Sequence, residues 1–240
     1  MSLPSQELHF FDADEEWAQG VARYVEWFDT SCRYIGDVTP SYMYMPAALE
    51  RMRQLVPHAR IVVLLRNPID RALSNHNHDL AKGAERRAEL LDLRLLPRCE
   101  KELSAATLPG LRDVFRRGLY ADQLERLCQL FPEEQVRVVI SERFRANPAE
   151  VVAGVRSFFG LPAWQGSVSV PERHVRWEYE ERLAAGEREL LRDMYAEDVA
   201  RLKAMLDDQL PEWQDFITCC PADDAVTRNI LCAGRRKRKF

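Results

Sequence analysis

The chain lacks any run approaching the roughly 18–20 apolar residues that a membrane-spanning helix needs. Its opening, Met1 to Phe11, has neither the basic start nor the apolar middle of a signal peptide, so a cytoplasmic protein is expected. Excess positive charge is also missing. The 34 Lys and Arg face 38 Asp and Glu, and a net charge of −4 argues against a general nucleic-acid binder. Cysteines are few and scattered: Cys32, Cys99, Cys128, Cys219, Cys220 and Cys232 form no C-x-x-C pair, and no histidine stands beside them at metal-ligand spacing. Reduced thiols are the expectation, with a bridge from Cys219 or Cys220 to Cys232 as the alternative. No internal repeat of 20–50 residues occurs. A Gly-x-x-x-x-Gly-Lys-[Ser/Thr] loop is absent too, which counts against a P-loop kinase.

What remains is an ordinary globular composition, 46% apolar over 240 residues, enough for one domain with a sizeable core. The clearest strand runs from Arg60 to Arg66, a continuous β-branched-rich stretch that suits a strand covered on both faces of a parallel sheet. Val136 to Ile140 reads as a second strand and Tyr34 to Asp37 as a weaker third. Helical periods are expected over Pro46–Val56, Pro68–Lys82, Tyr120–Phe131, Pro148–Phe159 and from about Glu187 to Leu206. Asn147 is placed to cap the fourth of these and Gly160 to close it. Strands alternating with helices predict an α/β three-layer sandwich with a mainly parallel central sheet. The domain is expected over residues 1–213. A basic, irregular tail over 214–240 ends in Arg235 to Lys239 and reads as a solvated terminus.

The stretch Arg66-Asn67-Pro68-Ile69-Asp70 is the most informative. Asn67 suits an N-cap, Pro68 the first helical position, and Asp70 the third, where a carboxylate favours the positive helix end. The chain therefore turns from strand to helix at the carboxyl edge of the sheet, where α/β proteins bind ligands. Arg66 offers a guanidinium fork suited to phosphate, and Ser74, two turns into the helix, a hydroxyl. The same residues allow a plainer reading in which Arg66 only pairs with a carboxylate such as Asp70.

The segment from Arg60 to Leu80 resembles the 3′-phosphate-binding segment of sulfotransferases that use 3′-phosphoadenosine 5′-phosphosulfate. It has the apolar strand, Arg-[Asp/Asn]-Pro, Arg-Ala, and a Ser eight positions after the first Arg. The family's next aromatic position is Asn75 or His76 here. Other matches follow in the family's order. Glu7 to Asp12 is similar to the Lys-Glu-[Leu/Val]-His-Phe-Phe segment of glycosaminoglycan-type and bacterial members, and Asp37 to Tyr42 to their Glu-Lys-[Ser/Thr]-Pro-x-Tyr segment. Arg117 to Tyr120, Phe158 to Pro162, and the last helix with Leu191, Met194, Tyr195, Asp198, Val199 and Leu202 resemble the second half of the domain.

The resemblance implies a P-loop NTPase-like sulfotransferase fold and 3′-phosphoadenosine 5′-phosphosulfate as sulfate donor, without a metal. It implies Arg66 and Ser74 as ligands of the 3′-phosphate and Glu7 as general base. His9 would orient Glu7 or donate to the sulfuryl oxygens. The implied acceptor is a hydroxyl or amine, on a glycan or a small molecule. Two departures stand out. The family's Lys-x-Gly-[Thr/Ser]-[Thr/Ser] loop, which cradles the 5′-phosphosulfate, has no counterpart in these residues, and Val38 stands where the family has a lysine. The expectation is thus a domain truncated at its N-terminus and prone to self-association through an uncovered sheet edge. A missing N-terminal anchor would move the location to a Golgi membrane. The alternative function is a non-catalytic relative acting as a binding module. His76 and His78 read as surface residues, Tyr120 as either core or substrate-facing, and Arg173, His174 and Arg176 as a basic cluster able to close over a nucleotide.

Overall fold

The computed structural model describes residues 7–81, 114–168, 183 and 185–217. In chain order these form α1 (Asp14–Ala18), α2 (Val21–Val25), α3 (Pro46–Leu55), β1 (Ile61–Leu65), α4 (Pro68–Ala81), α5 (Tyr120–Leu130), β2 (Val136–Ile140), α6 (Ser141–Ala146), α7 (Pro148–Phe158) and α8 (Ala185–Leu206). Strands β1 and β2 pair in parallel, with helices in the connection, as an α/β fold requires. Among the described residues this sheet has two strands, and the burial pattern of β1 departs from the coverage of both faces that its apolar run predicted. Val63 and Leu65 are buried, while Leu64 between them is 58% exposed. The third expected strand is also corrected. Only Ile35 makes a bridge, and the nearby Asp37 carboxylate accepts from Tyr24, Thr39 and Tyr42.

The chain divides into two compact units, residues 1–63 with 122–136 and residues 64–121 with 137–240. The first is built around aromatic rings. Phe10 stacks on Tyr24 at 4.3 Å, and Phe11 meets Tyr42 edge-on at 5.3 Å. Rings buried as completely as Phe10 and Phe11 contribute about 2–3 kcal/mol each. Helix α3 adds Ala48, Leu49 and Met52, and Leu124 and Leu127 of α5, with Phe131 just past its end, recur at helical spacing on a buried face. Gln135 donates to the carbonyls of Pro57 and Ala59 at 3.1 and 2.7 Å, securing the approach to β1.

The second unit packs on α8, whose Leu191, Tyr195, Val199 and Leu202 form one buried stripe. Asp198 on that stripe accepts from the Tyr120 and Ala121 amides at 2.7 and 3.1 Å, capping α5 from a distant part of the chain. Gly118 is demanded by the neighbouring Tyr195 ring, since a Cβ there would lie 2.7 Å from its hydroxyl. Helix α7 begins and ends as its sequence predicts. The Asn147 side chain accepts from the Glu150 amide at 3.4 Å, and Gly160 follows with φ of 68°. Packing continues through Gln214–Phe216, a short turn that buries Phe216. The basic cluster at 173–176, the candidate bridge at Cys219, Cys220 and Cys232, and the terminal basic run lie outside the described residues.

Candidate functional site

The segment before α1 is bent and not extended. His9 has φ of 51°, a left-handed conformation that costs a non-glycine residue about 1 kcal/mol or more. The chain then turns, with the Ala13 amide bonded to the His9 carbonyl at 3.1 Å. This bend still brings Glu7 and His9 together. The His9 ring lies between two carboxylates, its Nε2 3.3 Å from Glu7 Oε2 and its Nδ1 3.0 Å from Asp12 Oδ2. The Ser41 hydroxyl donates to the same Asp12 oxygen. The Glu7 and His9 side chains are about half exposed, while Asp12 is only 9% exposed and has its other oxygen buried without a partner.

Asp37 organises the ground beneath. It accepts from Thr39 at 3.0 Å, Tyr42 at 2.7 Å and Tyr24 at 3.2 Å, and Thr39 and Tyr42 in turn receive the amides of Leu8 and Phe10. Burial first, and the Asp37 carboxylate next, push both phenols well above their ordinary range, so they serve as fixed neutral donors. Val38, at the position of the family's lysine, is 64% exposed and offers no charge.

In the second unit the strand-to-helix turn forms as predicted. Asn67 Oδ1 accepts from the Ile69 amide at 3.0 Å, Pro68 opens α4, and Asp70 lies in its first turn. The turn is also held from outside. Glu142 accepts from the Asn67 amide at 3.0 Å and from the Trp213 indole at 3.2 Å, Asp215 accepts from Asn67 Nδ2 at 2.8 Å, and the Tyr120 hydroxyl donates to the Arg66 carbonyl at 3.0 Å. Tyr120 is thus buried, the core alternative of the sequence reading.

Arg66 itself is half-buried with Nε enclosed and unpartnered. Burial, and then the like charge of Arg145, hold its guanidinium below the ordinary value, with Asp70, Glu142 and Tyr120 opposing. No carboxylate among the described residues pairs with it, and Asp70 is engaged by Arg188 at 3.0 Å instead. The plainer reading of Arg66 thus loses its proposed partner. Ser74 is half-buried on α4, and its hydroxyl has no bond among the described residues. His78 is exposed as expected, but His76 is 2% exposed. The reason is helical spacing: His76 shares the face of Ile69 and Ala72, both buried. Sequence reasoning missed Asp12, Glu142, Arg188 and Asp215. Of these only Asp12 had a local signal, three residues after His9.

No cluster of metal-ligating side chains and no helix long and apolar enough to cross a membrane occurs among the described residues. The sequence profile described as the sulfotransferase domain matches residues 6–194. Heparan sulfate glucosamine 3-O-sulfotransferase 5 of Mus musculus is 29% identical over 169 residues, covering 66% of this chain and 45% of that protein. Bifunctional heparan sulfate N-deacetylase/N-sulfotransferase 1 of Caenorhabditis briggsae is 24% identical over 189 residues, covering 74% and 20%. The chain thus spans less than half the length of these curated relatives. A solved sulfotransferase from Alicyclobacillus acidocaldarius superposes with a TM-score of 0.68 at 27% identity, covering 88% of this chain and 87% of that one. A profile match over most of the chain, joined to a likeness in fold along nearly all of it, shows that the protein belongs to the sulfotransferase domain family.

Proposed function

We propose that the protein transfers a sulfuryl group from 3′-phosphoadenosine 5′-phosphosulfate to a hydroxyl or amine of a carbohydrate. The observation that carries this reading is Arg66: a half-buried guanidinium with an unpartnered Nε, at a strand end that turns into a capped helix. An enclosed guanidinium N–H without a hydrogen-bond partner is costly, and a phosphate accepting from the fork would relieve that cost. Ser74 would supply a hydroxyl to the same anion. The residues present therefore fit the 3′-phosphate of the donor. When bound, the donor supplies a sulfuryl group activated as a phosphosulfate anhydride. The carbohydrate acceptor is supported by the two curated relatives, both named for heparan sulfate.

Glu7 is proposed to take the acceptor proton on a carboxylate oxygen. The role of His9 narrows to orientation, because both ring nitrogens already face carboxylates, Nε2 toward Glu7 and Nδ1 toward Asp12. It would then hold Glu7 and leave the sulfuryl oxygens to other donors. A second reading, a relative that binds nucleotide without transferring sulfate, is favoured by one observation: Val38 is exposed and uncharged at the family's lysine position.

Calorimetric titration with adenosine 3′,5′-bisphosphate tests the phosphate assignment. Arg66→Ala should weaken binding by about 10- to 100-fold, the worth of about 1.5–3 kcal/mol for hydrogen bonds to a charged group. Equal affinity in the variant would remove the assignment. Sulfate transfer to desulfated heparan sulfate separates the two readings, since the binding module would hold the nucleotide and transfer nothing.

A further inference from the structure

The turn after β1 sets a cation and an anion in competition. Arg66 and Asp70 are four residues apart, and Asp70 lies within electrostatic reach of the Arg66 guanidinium. A carboxylate seated on that fork would occupy the donors that a phosphate needs. The two do not pair. Asp70 Oδ1 accepts instead from Arg188 Nη1 at 3.0 Å. Arg188, near the start of α8, is itself fixed by Asp215, whose two oxygens accept from its Nε and Nη2 at 2.6 and 2.7 Å. Asp215 also accepts from Asn67 Nδ2, the side chain that caps α4. Burial would raise the Asp215 carboxyl, but the hydrogen bonds from Arg188 and Asn67 more than offset this and hold it below its ordinary range. A single guanidinium therefore spans two carboxylates, as its planar fork allows and a lysine would not.

We infer that Arg188 is a positioning residue for the phosphate site: it holds Asp70 away from Arg66 and so keeps the Arg66 fork open to a phosphate. The inference rests on the reading of Arg66 given above. A merely structural role, tying α8 to the turn, predicts lost stability alone. Sequestration predicts in addition an affinity loss that depends on the charge of Asp70.

The experiment is a double-mutant cycle on the full chain, with adenosine 3′,5′-bisphosphate as the probe in calorimetry and a thermal melt alongside. Arg188→Ala should weaken binding about fivefold, the scale of a charge pair whose members are more than a third exposed. Asp70→Asn alone should change affinity less than about twofold, since that carboxylate is already engaged. Adding Asp70→Asn to Arg188→Ala should restore most of the loss. Adding Asp215→Asn instead restores the same net charge without removing the competitor, and should not rescue. Should Arg188→Ala fail to fold, Arg188→Lys carries the same cycle with a smaller loss of about twofold. An unchanged affinity, a loss that Asp70→Asn does not restore, or equal rescue by Asp215→Asn would each overturn the inference. Arg66→Ala distinguishes the two levels: if it leaves affinity unchanged, the phosphate reading falls and this inference with it. If it weakens binding while the cycle shows no coupling, only the role of Arg188 falls.

Discussion

The two candidate regions are assembled differently. Among the described residues the side-chain partners of Glu7, His9, Asp12 and Asp37 come from the first 42 residues: His9 to Asp12, Ser41 to Asp12, Tyr24, Thr39 and Tyr42 to Asp37. Around Arg66 the partners come from far along the chain, separated by 54 residues for Tyr120, 75 for Glu142 and 148 for Asp215. Two of those three bonds involve the backbone of the turn, at the Arg66 carbonyl and the Asn67 amide. The first region thus leaves the Glu7 and His9 side chains half exposed on a locally folded bend. The second immobilises a backbone turn and leaves one cation unsatisfied. Proton transfer needs a reachable carboxylate, whereas anion binding needs a preorganised cation already stripped of competing partners.

The contrast has separable consequences. Glu7→Gln should lower sulfate transfer by about 10²–10⁴-fold, the usual worth of a positioned general base, with the affinity for adenosine 3′,5′-bisphosphate unchanged. A parallel loss of nucleotide binding would erase the division of labour drawn between the regions. Tyr120→Phe should do the reverse. It leaves the Arg66 carbonyl without its donor in a buried setting, at a cost of about 1–3 kcal/mol in a denaturant melt, and weakens bisphosphate binding. Unchanged stability would show that the backbone is held adequately without that bond.

The smallest effect concerns acid stability in the second unit. Hydrogen bonds from Arg143 hold the Asp208 and Glu212 carboxyls below their ordinary range. With folded values depressed, the native state binds fewer protons than the unfolded chain. Their contribution is present above the unfolded values and lost as pH falls below about 4. Thermal melts across about pH 3–6 should show this acid limb, and Arg143→Met should flatten it. An identical pH profile in the variant would mean that solvent screens the cluster to nothing.

Several features were legible because their causes are local. The Asn67–Pro68 start of α4, and the Asn147 cap and Gly160 stop of α7, follow from backbone chemistry within a few residues. Residues 61–65 and 136–140 declared themselves as strands by their β-branched runs. His76 was misjudged because a histidine on a helix gives no sign of which face will be covered. Tyr34 to Asp37 was misjudged because a run this short forms a strand only if a pairing partner is brought beside it, and only Ile35 makes a bridge.

The residues of Arg66 to Ser74 by themselves determined that a strand would pass into a capped helix with an arginine at the junction, since dihedral preference and capping act between neighbours. Whether that arginine would pair with Asp70 was beyond their reach. Only the tertiary structure decided it, by bringing Arg188 and Asp215 to the turn from across the unit, because competition for a carboxylate depends on distance in space and not along the chain.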